Sequence, residues 1–462
     1  MNYTENRYSL DMTKGPFFRK ILIFSIPLIL TGLLQLAYNT ADVIVVGKFV
    51  GTQALAAVGS TGSLINLFLN LFLGLSMGSG VVVARHIGEQ DDKKIHNCVH
   101  TAMLLSIFCG FVIGIIGFFT SSKMLVLMKA PADVLPLASL YLKIYFLGSP
   151  GLMVYNFGAA IVRATGDTKR PLFILGISGA INVMLNLIFV IIFKFGVEGV
   201  AIPTIVSQYL SAFMVCAYLM RMNNSCRFSV KQLKIYSDEL KHIFKIGLPA
   251  GIQGSLFSFS NVVIQSSVNS FGSVVMAGTS AGSNYEGYIY TCTNSVSQTT
   301  MTFTSQNMGA KKYSNIGKIY RRCLLFACGI GVFMGIIGIL FGEQIVGLFS
   351  KDPSVIQAGA DRMLIIMPFY VFCSLMDVAA MQLRGMGKSI EPMIVTLLGA
   401  CGLRILWMIF ILPMNHTITM LYMAYPVSWI VTFIAQFTSY FIFTRRMRKN
   451  GDFDNEIFDT EE

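Results

Sequence analysis

Charge is the first thing this chain has little of. Only 13% of its 462 residues are charged, about half the ~25% that a water-exposed fold carries. That scarcity excludes an ordinary large soluble domain. No Gly-x-x-x-x-Gly-Lys-Ser/Thr loop is present, so nothing points to a built-in nucleotide motor. The nine cysteines form no Cys-x-x-Cys pair and avoid the outer loops defined below. Neither a disulfide framework nor a structural zinc site is expected. Residues 1–20 are polar and basic, and the first apolar run is too long for an h-region, so no secretory signal is read. One nucleophile-elbow pattern, "GLSMG" at Gly74 to Gly78, lies inside an apolar run with no strand before it, where helix packing is the better reading. His96 and His100 stand at metal-compatible i, i+4 spacing but lack a third ligand nearby. Nothing here makes an enzyme.

What the chain does have is apolar length. Hydrophobic residues make up 54%, mean hydropathy is +0.65, and runs of ~20 residues recur, enough to cross ~30 Å of hydrocarbon as helix. Spans are read at 21–47, 57–84, 97–119, 134–162, 172–193 and 197–220. A second set follows at 244–270, 274–305, 317–341, 356–383, 393–413 and 417–444. The fold class is therefore an all-α polytopic membrane protein of twelve transmembrane helices.

The net charge of +12 is explained by where the charge lies. Of the 35 Lys and Arg, 27 fall in the N-terminal segment, the loops on its side and the C-terminal tail. Five lie on the opposite side (Lys48, Lys123, Lys129, Lys194, Lys351), and Lys143, Arg362 and Arg404 lie within spans. The positive-inside rule puts both termini in the cytoplasm of a cell membrane. Anionic lipid is an expected partner; nucleic acid is not.

A phrase is written twice. "GFVIGIIGFF" (Gly110 to Phe119) and "GVFMGIIGIL" (Gly331 to Leu340) stand 221 residues apart. The same offset places Gly88 on Gly309, and Arg163, Gly166 and Pro171 on Arg384, Gly387 and Pro392. Six spans per repeat is an even number, so both copies enter the membrane in one orientation, related by a pseudo-twofold axis along the membrane normal. The organisation expected is a cytoplasmic segment 1–20, an N-lobe 21–220, a polar hinge 221–243, a C-lobe 244–444 and a tail 445–462. Small residues at i, i+4 suit close helix packing in lipid.

Polar groups at membrane depth carry the functional reading, since they line wet paths or pair with one another. Asp42 lies on span 1, with Asn39 and Gln35 on roughly the same face. Asn182 and Asn186 on span 5 and Thr204 on span 6 fall at a similar depth. In the second half Glu286, Tyr290, Asn294 and Gln298 recur every fourth residue on span 8, and Asn261 and Gln265 sit at i, i+4 on span 7. Asp377 on span 10 is the repeat partner of Asn156. Arg404, mid-span, needs a carboxylate, with Glu286 or Asp377 the natural candidate; a structural pair and a transport role both stay open.

"ILIFSIPLILTGLLQLAYNTADVIVVGKFVGTQALAAVG", "RATGDTKRP", "SQNMGAKK" and "LRGMGKS" resemble the multidrug and toxic compound extrusion (MATE) transporters, from about Gly15 to Arg446. The resemblance implies two six-helix lobes forming a V, and export of organic, often cationic compounds against entering H⁺ or Na⁺, with no cofactor. One branch of that family uses a span-1 Asp, an Asn-x-x-x-Asp on span 5 and a span-6 Thr; Asp42, Asn182 and Thr204 match, while Asn186 is an amide where the branch has a carboxylate. Another branch uses a span-10 Asp, matched by Asp377, but its span-7 Glu has no counterpart in "GSLFSFSNVVIQ". The expectation is an antiporter, functional as a monomer, coupled through Asp42, Asn182, Asn186 and Thr204, with Na⁺ or H⁺ open. Gln35, Asn39, Asn156, Asn261, Gln265, Glu286, Tyr290, Asn294, Asp377 and Arg404 line the substrate path. The rival reading is a flippase for a lipid-linked precursor, which would want a basic cavity.

Overall fold

A computed structural model describes residues 10–128, 131 and 133–452; Lys129 and the outer parts of the N-terminal segment and acidic tail lie outside the described residues. Among these residues every regular element is helical. The first repeat contributes α1 (Phe17–Phe49), α2 (Thr52–Glu89), α3 (Asp92–Leu127), α4 (Leu135–Leu147), α5 (Ser149–Ala164), α6 (Lys169–Leu187) and α7 (Glu198–Met220). The second contributes α8 (Ser237–Asn269), α9 (Ser273–Gly309), α10 (Tyr313–Leu340), the short α11 (Gly342–Gly347), α12 (Pro353–Ile366), α13 (Tyr370–Gly385), α14 (Ile390–Thr396), α15 (Leu403–Leu406) and α16 (Ile418–Lys449).

Nine helices among the described residues are long and apolar enough to cross a membrane, and α4 with α5, bent by 48°, makes a tenth. The bend falls at Gly148, with Pro150 in the first turn of α5, where a missing N–H costs nothing. The remaining two of the twelve spans are α8 and α9, 33 and 37 residues long, or ~50 Å and more at 1.5 Å per residue. Their polarity comes largely from Ser and Thr. On α9 the hydroxyls of Thr291, Ser295, Thr299 and Thr302 each donate to the carbonyl four residues back. Each hydroxyl thereby brings its own acceptor into hydrocarbon.

The repeat is visible in the backbone. Left-handed conformations occur at Gly51 and Gly272 (φ 125° and 95°), Gln90 and Lys311 (56° and 55°), and Gly166 and Gly387 (93° and 84°), each pair 221 residues apart. The duplicated glycine phrase packs helices together. A Cβ on Gly110 would lie 2.4 Å from Pro150 Cα, and one on Gly331 would lie 3.1 Å from Val371 Cα; Pro150 and Val371 are again 221 apart.

By its internal contacts the chain divides into two units. The first contains Ile26–Ser255; the second contains Met12–Ser25 and the chain from Leu256 onward. The division therefore falls inside α1 and α8 rather than at 220 and 244. The first half of α8 packs on α2, where a Cβ on Gly74 would meet Gly251 N at 2.3 Å, which is the structural use of the "GLSMG" glycines. The start of α1 packs on α9 through Ser25 and Thr299 (2.8 Å) and the edge-on rings of Phe24 and Phe303.

The segment read as a polar hinge makes contacts with α3. Ser229 N donates to His100 Nε2 (3.1 Å) and Tyr236 N to Thr101 Oγ1 (3.0 Å), while Cys226 and Phe228 are buried. Apolar residues inside the polar stretch made this docking favourable. Burial pushes the Cys226 thiol up to about 12. His100 spends both nitrogens, because Nδ1 also lies 2.8 Å from His96 O. No cluster of three metal-ligating side chains occurs among the described residues.

Candidate functional site

In the first unit, three helices bring Asp42, Asn182, Asn186 and Thr204 together. Asn182 and Asn186 stand one turn apart on the buried face of α6. Beyond Asn186 the helix widens into a π turn at Ile188–Ile192, a distortion that is rare and concentrated at functional positions. Asn186 Nδ2 donates to Asp42 Oδ1 at 2.5 Å. Asn182 lies between them and α7, with its amide 3.3 Å from Asn186 Nδ2 and 3.4 Å from Thr204 Oγ1. Turned over, the same amide places its nitrogen 3.1 Å from Asp42 Oδ1 and accepts from Thr204 N at 3.2 Å.

The cluster has one carboxylate, two amides and a hydroxyl. Among the described residues Asn186 Oδ1 is buried with no hydrogen-bond donor, a costly state for an amide oxygen. Oxygens from Asp42, Asn182, Asn186 and Thr204 are the hard donors that a small cation selects. Gln35 and Asn39, expected on the same face as Asp42, are exposed and stand apart from the cluster.

The second unit is arranged differently. Glu286, one of the two carboxylates expected for Arg404, is taken by Arg362 on α12: Nε donates to Oε1 at 2.8 Å and Nη2 to Oε2 at 3.0 Å. This fork-on-fork geometry uses both carboxylate oxygens. Arg362 is 2% exposed, and the Tyr422 and Tyr425 rings lie 5.1 Å from its guanidinium carbon. The stripe below Glu286 is continuous: Gln298 Nε2 donates to Asn294 Oδ1 (2.8 Å), and Asn294 Nδ2 to Tyr290 Oη (3.4 Å).

Arg404 has no carboxylate partner among the described residues. It is 2% exposed, donates from Nε to Ser428 Oγ at 2.7 Å, and leaves Nη2 buried without an acceptor. Three rings enclose it, Tyr425 at 4.6 Å, Trp429 at 5.6 Å and Phe257 at 5.7 Å from the guanidinium carbon. Each such contact is worth ~0.5–2 kcal/mol, against several kcal/mol for taking a cation out of water.

Asp377 stays in the neighbourhood of Tyr290, Cys373 and Arg384, with Oδ2 unpartnered. Asn156 donates to its own helix at Leu152 O, and Gln265 to Asn269; Asn261 is exposed. These three join neither cluster. Sequence reasoning did not single out Arg362, Tyr425 or Trp429 as site residues. The repeat offset was a usable signal for Tyr425, which stands 221 residues after Thr204.

Comparison with known proteins gives a consistent result. The family model described as MatE matches residues 27–188 and again 249–410. "Probable multidrug resistance protein YpnP" of Bacillus subtilis (strain 168) is 27% identical over 394 residues, covering 85% of this chain and 88% of the relative. "Multidrug export protein MepA" of Staphylococcus aureus (strain MRSA252) is 24% identical over 357 residues, covering 74% and 76%. A solved structure described as an outward-facing conformation of a multidrug resistance MATE family transporter of the MOP superfamily superposes with a TM-score of 0.89 at 20% identity, over 97% of this chain and 100% of that one.

Proposed function

The chain belongs to the MatE family of multi-pass membrane transporters, which are not enzymes, and we propose that it is an antiporter exporting organic, amphipathic compounds in exchange for H⁺ or Na⁺. The observation that carries this reading is the Asp42 cluster. A single carboxylate among two buried amides and a hydroxyl, with Asn186 Oδ1 left over, suits a small cation. Occupied, Asp42 is neutralised and the amide oxygens gain a partner; emptied, the cluster rests on the Asn186 bond. Two states of different polarity at one helix junction are what alternating access needs from a coupling ion. The relatives' names support multidrug export as the kind of work done.

Glu286 is neutralised by Arg362, which leaves Asp377 and the Tyr290–Asn294–Gln298 stripe as the polar surface for cargo. The chain works as a single copy in the cell membrane with both termini in the cytoplasm, as the loop charges require, and lipid is its other partner.

The test is efflux of an ethidium-like dye from proteoliposomes under separate Na⁺ and H⁺ gradients. Asp42→Asn keeps the fold and stops gradient-driven exchange under whichever ion drives the wild type. Exchange at the wild-type rate in that variant refutes the assignment.

A further inference from the structure

The two repeats place different polar groups at equivalent positions, a neutral amide in the first and a cation in the second. From 174 onward the buried residues of α6 and the π turn after it are 174, 178, 179, 182, 186 and 190; on the matching span from 396 onward they are 396, 400, 401, 404, 408 and 412. These sets differ by 222 residues, whereas Pro171 and Pro392 at the start of the same helices differ by 221. The change of offset falls between 171 and 174 on α6 and between 392 and 396 on the matching span. Arg404 is therefore the structural counterpart of Asn182. Likewise seven of the nine buried residues of α7 (200, 201, 203, 208, 211, 215 and 219) match buried residues of α16 at an offset of 221 (421, 422, 424, 429, 432, 436 and 440), with 199 and 212 opposite the intermediate 420 and 433, so Tyr425 is the counterpart of Thr204. Asn182 meets Thr204 in the first unit; Arg404 meets Tyr425 in the second.

We infer that the Arg404 cage in the second repeat is an anion-recognition site, taking the carboxylate, sulfonate or phosphate of an amphipathic aromatic cargo molecule. The inference rests on the reading of this chain as an exporter but not on its coupling ion. Four observations carry it. Arg404 is enclosed by side chains, yet its Nη2 has no acceptor among the described residues. The nearest expected carboxylate, Glu286, is held through both oxygens by Arg362. The residue lies between two π turns, Leu397–Gly402 and Trp407–Ile411. Finally, the rings of Tyr425, Trp429 and Phe257 lie 4.6–5.7 Å from the guanidinium carbon while Nε is given to Ser428, so Nη2 is the donor left for an anion, the ligand class that arginine binds with charge-assisted bonds. Tyr425 and Phe257 are only partly buried, so they are the rings that an aromatic ligand meets first.

Both tryptophans of the chain, Trp407 and Trp429, lie on these helices, and Trp429 touches the cage. Trp407→Phe leaves Trp429 as the sole reporter. In phosphatidylcholine nanodiscs, 4-nitrobenzoate should quench it saturably and bind at least about tenfold tighter than 4-nitrobenzylammonium. Arg404→Gln abolishes that preference. Arg404→Lys, a point charge without the fork, loses at least about threefold in nitrobenzoate affinity. Adding phosphatidylglycerol leaves nitrobenzoate affinity within about twofold.

The inference falls if wild type shows no carboxylate preference, or if Arg404→Gln keeps it at an unchanged melting temperature. It also falls if phosphatidylglycerol displaces the probe, which assigns the guanidinium to a lipid headgroup. Should Arg404→Gln not fold, undiminished affinity in Arg404→Lys overturns it. Ion-driven dye efflux without a carboxylate preference removes this inference alone; a carboxylate preference without ion-driven efflux removes the antiport reading alone.

Discussion

Arg362 and Glu286 face each other in a two-bond clamp, Nε to Oε1 at 2.8 Å and Nη2 to Oε2 at 3.0 Å, joining α12 to α9. The Arg362 side chain is 2% exposed and that of Glu286 13%. Removing one partner strands a buried charge, at ~3–5 kcal/mol. Arg362→Gln and Glu286→Gln should each lower the melting temperature sharply. The double variant should lose less than the two single losses added, because neither charge is then left alone. Additive losses in detergent melts would show that the pair does not act as a unit.

Asn186 contributes two things to the Asp42 cluster, a donor to the carboxylate and a buried oxygen without a donor of its own. Asn186→Leu removes both while keeping approximate volume. If sodium drives exchange, its half-saturating concentration should rise about tenfold or more, the effect of ~1.4 kcal/mol. Measured efflux against sodium concentration checks this. An unshifted curve would place the sodium ligands elsewhere.

Much of the architecture was legible before any coordinates. Gly110 and Gly331, with the markers at Gly166 and Gly387, announced two repeats in one register, and that register reappears in the backbone angles. The shared depth of Asp42, Asn182, Asn186 and Thr204 made one cluster an expectation, and the contacts themselves come from the structure. The partner of Glu286 did not follow, because depth does not fix which way a helix is turned. One inserted residue rotates a helix by ~100°, and the burial pattern shifts by one residue between 392 and 396. That shift carries Arg404, rather than Leu403, into the place of Asn182. Likewise the docked segment around Cys226 and Phe228 read as a polar hinge because its charges outnumber the few apolar residues that anchor it.

Asp167 begins α6 by accepting from Lys169 N and Arg170 N, both at 3.1 Å, and from Tyr218 Oη at 3.0 Å. Burial holds its carboxyl above the usual carboxylate range despite these donors. A raised folded-state value means that the contribution of the protonated group is complete below the unfolded value and is lost as pH rises through the folded one. Asp167→Asn carries no charge at any pH and should remove this slope from the melting profile just above the ordinary carboxylate range. Asp167→Ala, which deletes all three bonds, should cost ~1–2 kcal/mol at neutral pH. Melting curves of the three proteins across that acid range decide it.

Equivalent glycines in the two repeats make a graded test of helix packing. A Cβ on Gly110 would meet backbone, Pro150 Cα at 2.4 Å, which has no rotamer to give. On Gly331 the nearest atom is Val371 Cα at 3.1 Å, a few tenths of an ångström from ordinary contact. On Gly176 nothing lies within 4 Å. Gly110→Ala should therefore destabilise by ~1–3 kcal/mol, the range for overpacking, and Gly331→Ala by less. Gly176→Ala should be neutral or slightly stabilising, since alanine in a helix interior is favoured over glycine by ~1 kcal/mol. The order of melting temperatures, Gly176→Ala highest and Gly110→Ala lowest, is the expectation. An inverted order would mean that the close approach of α3 to α5 relaxes without cost, and that the repeated phrase is kept for something other than packing.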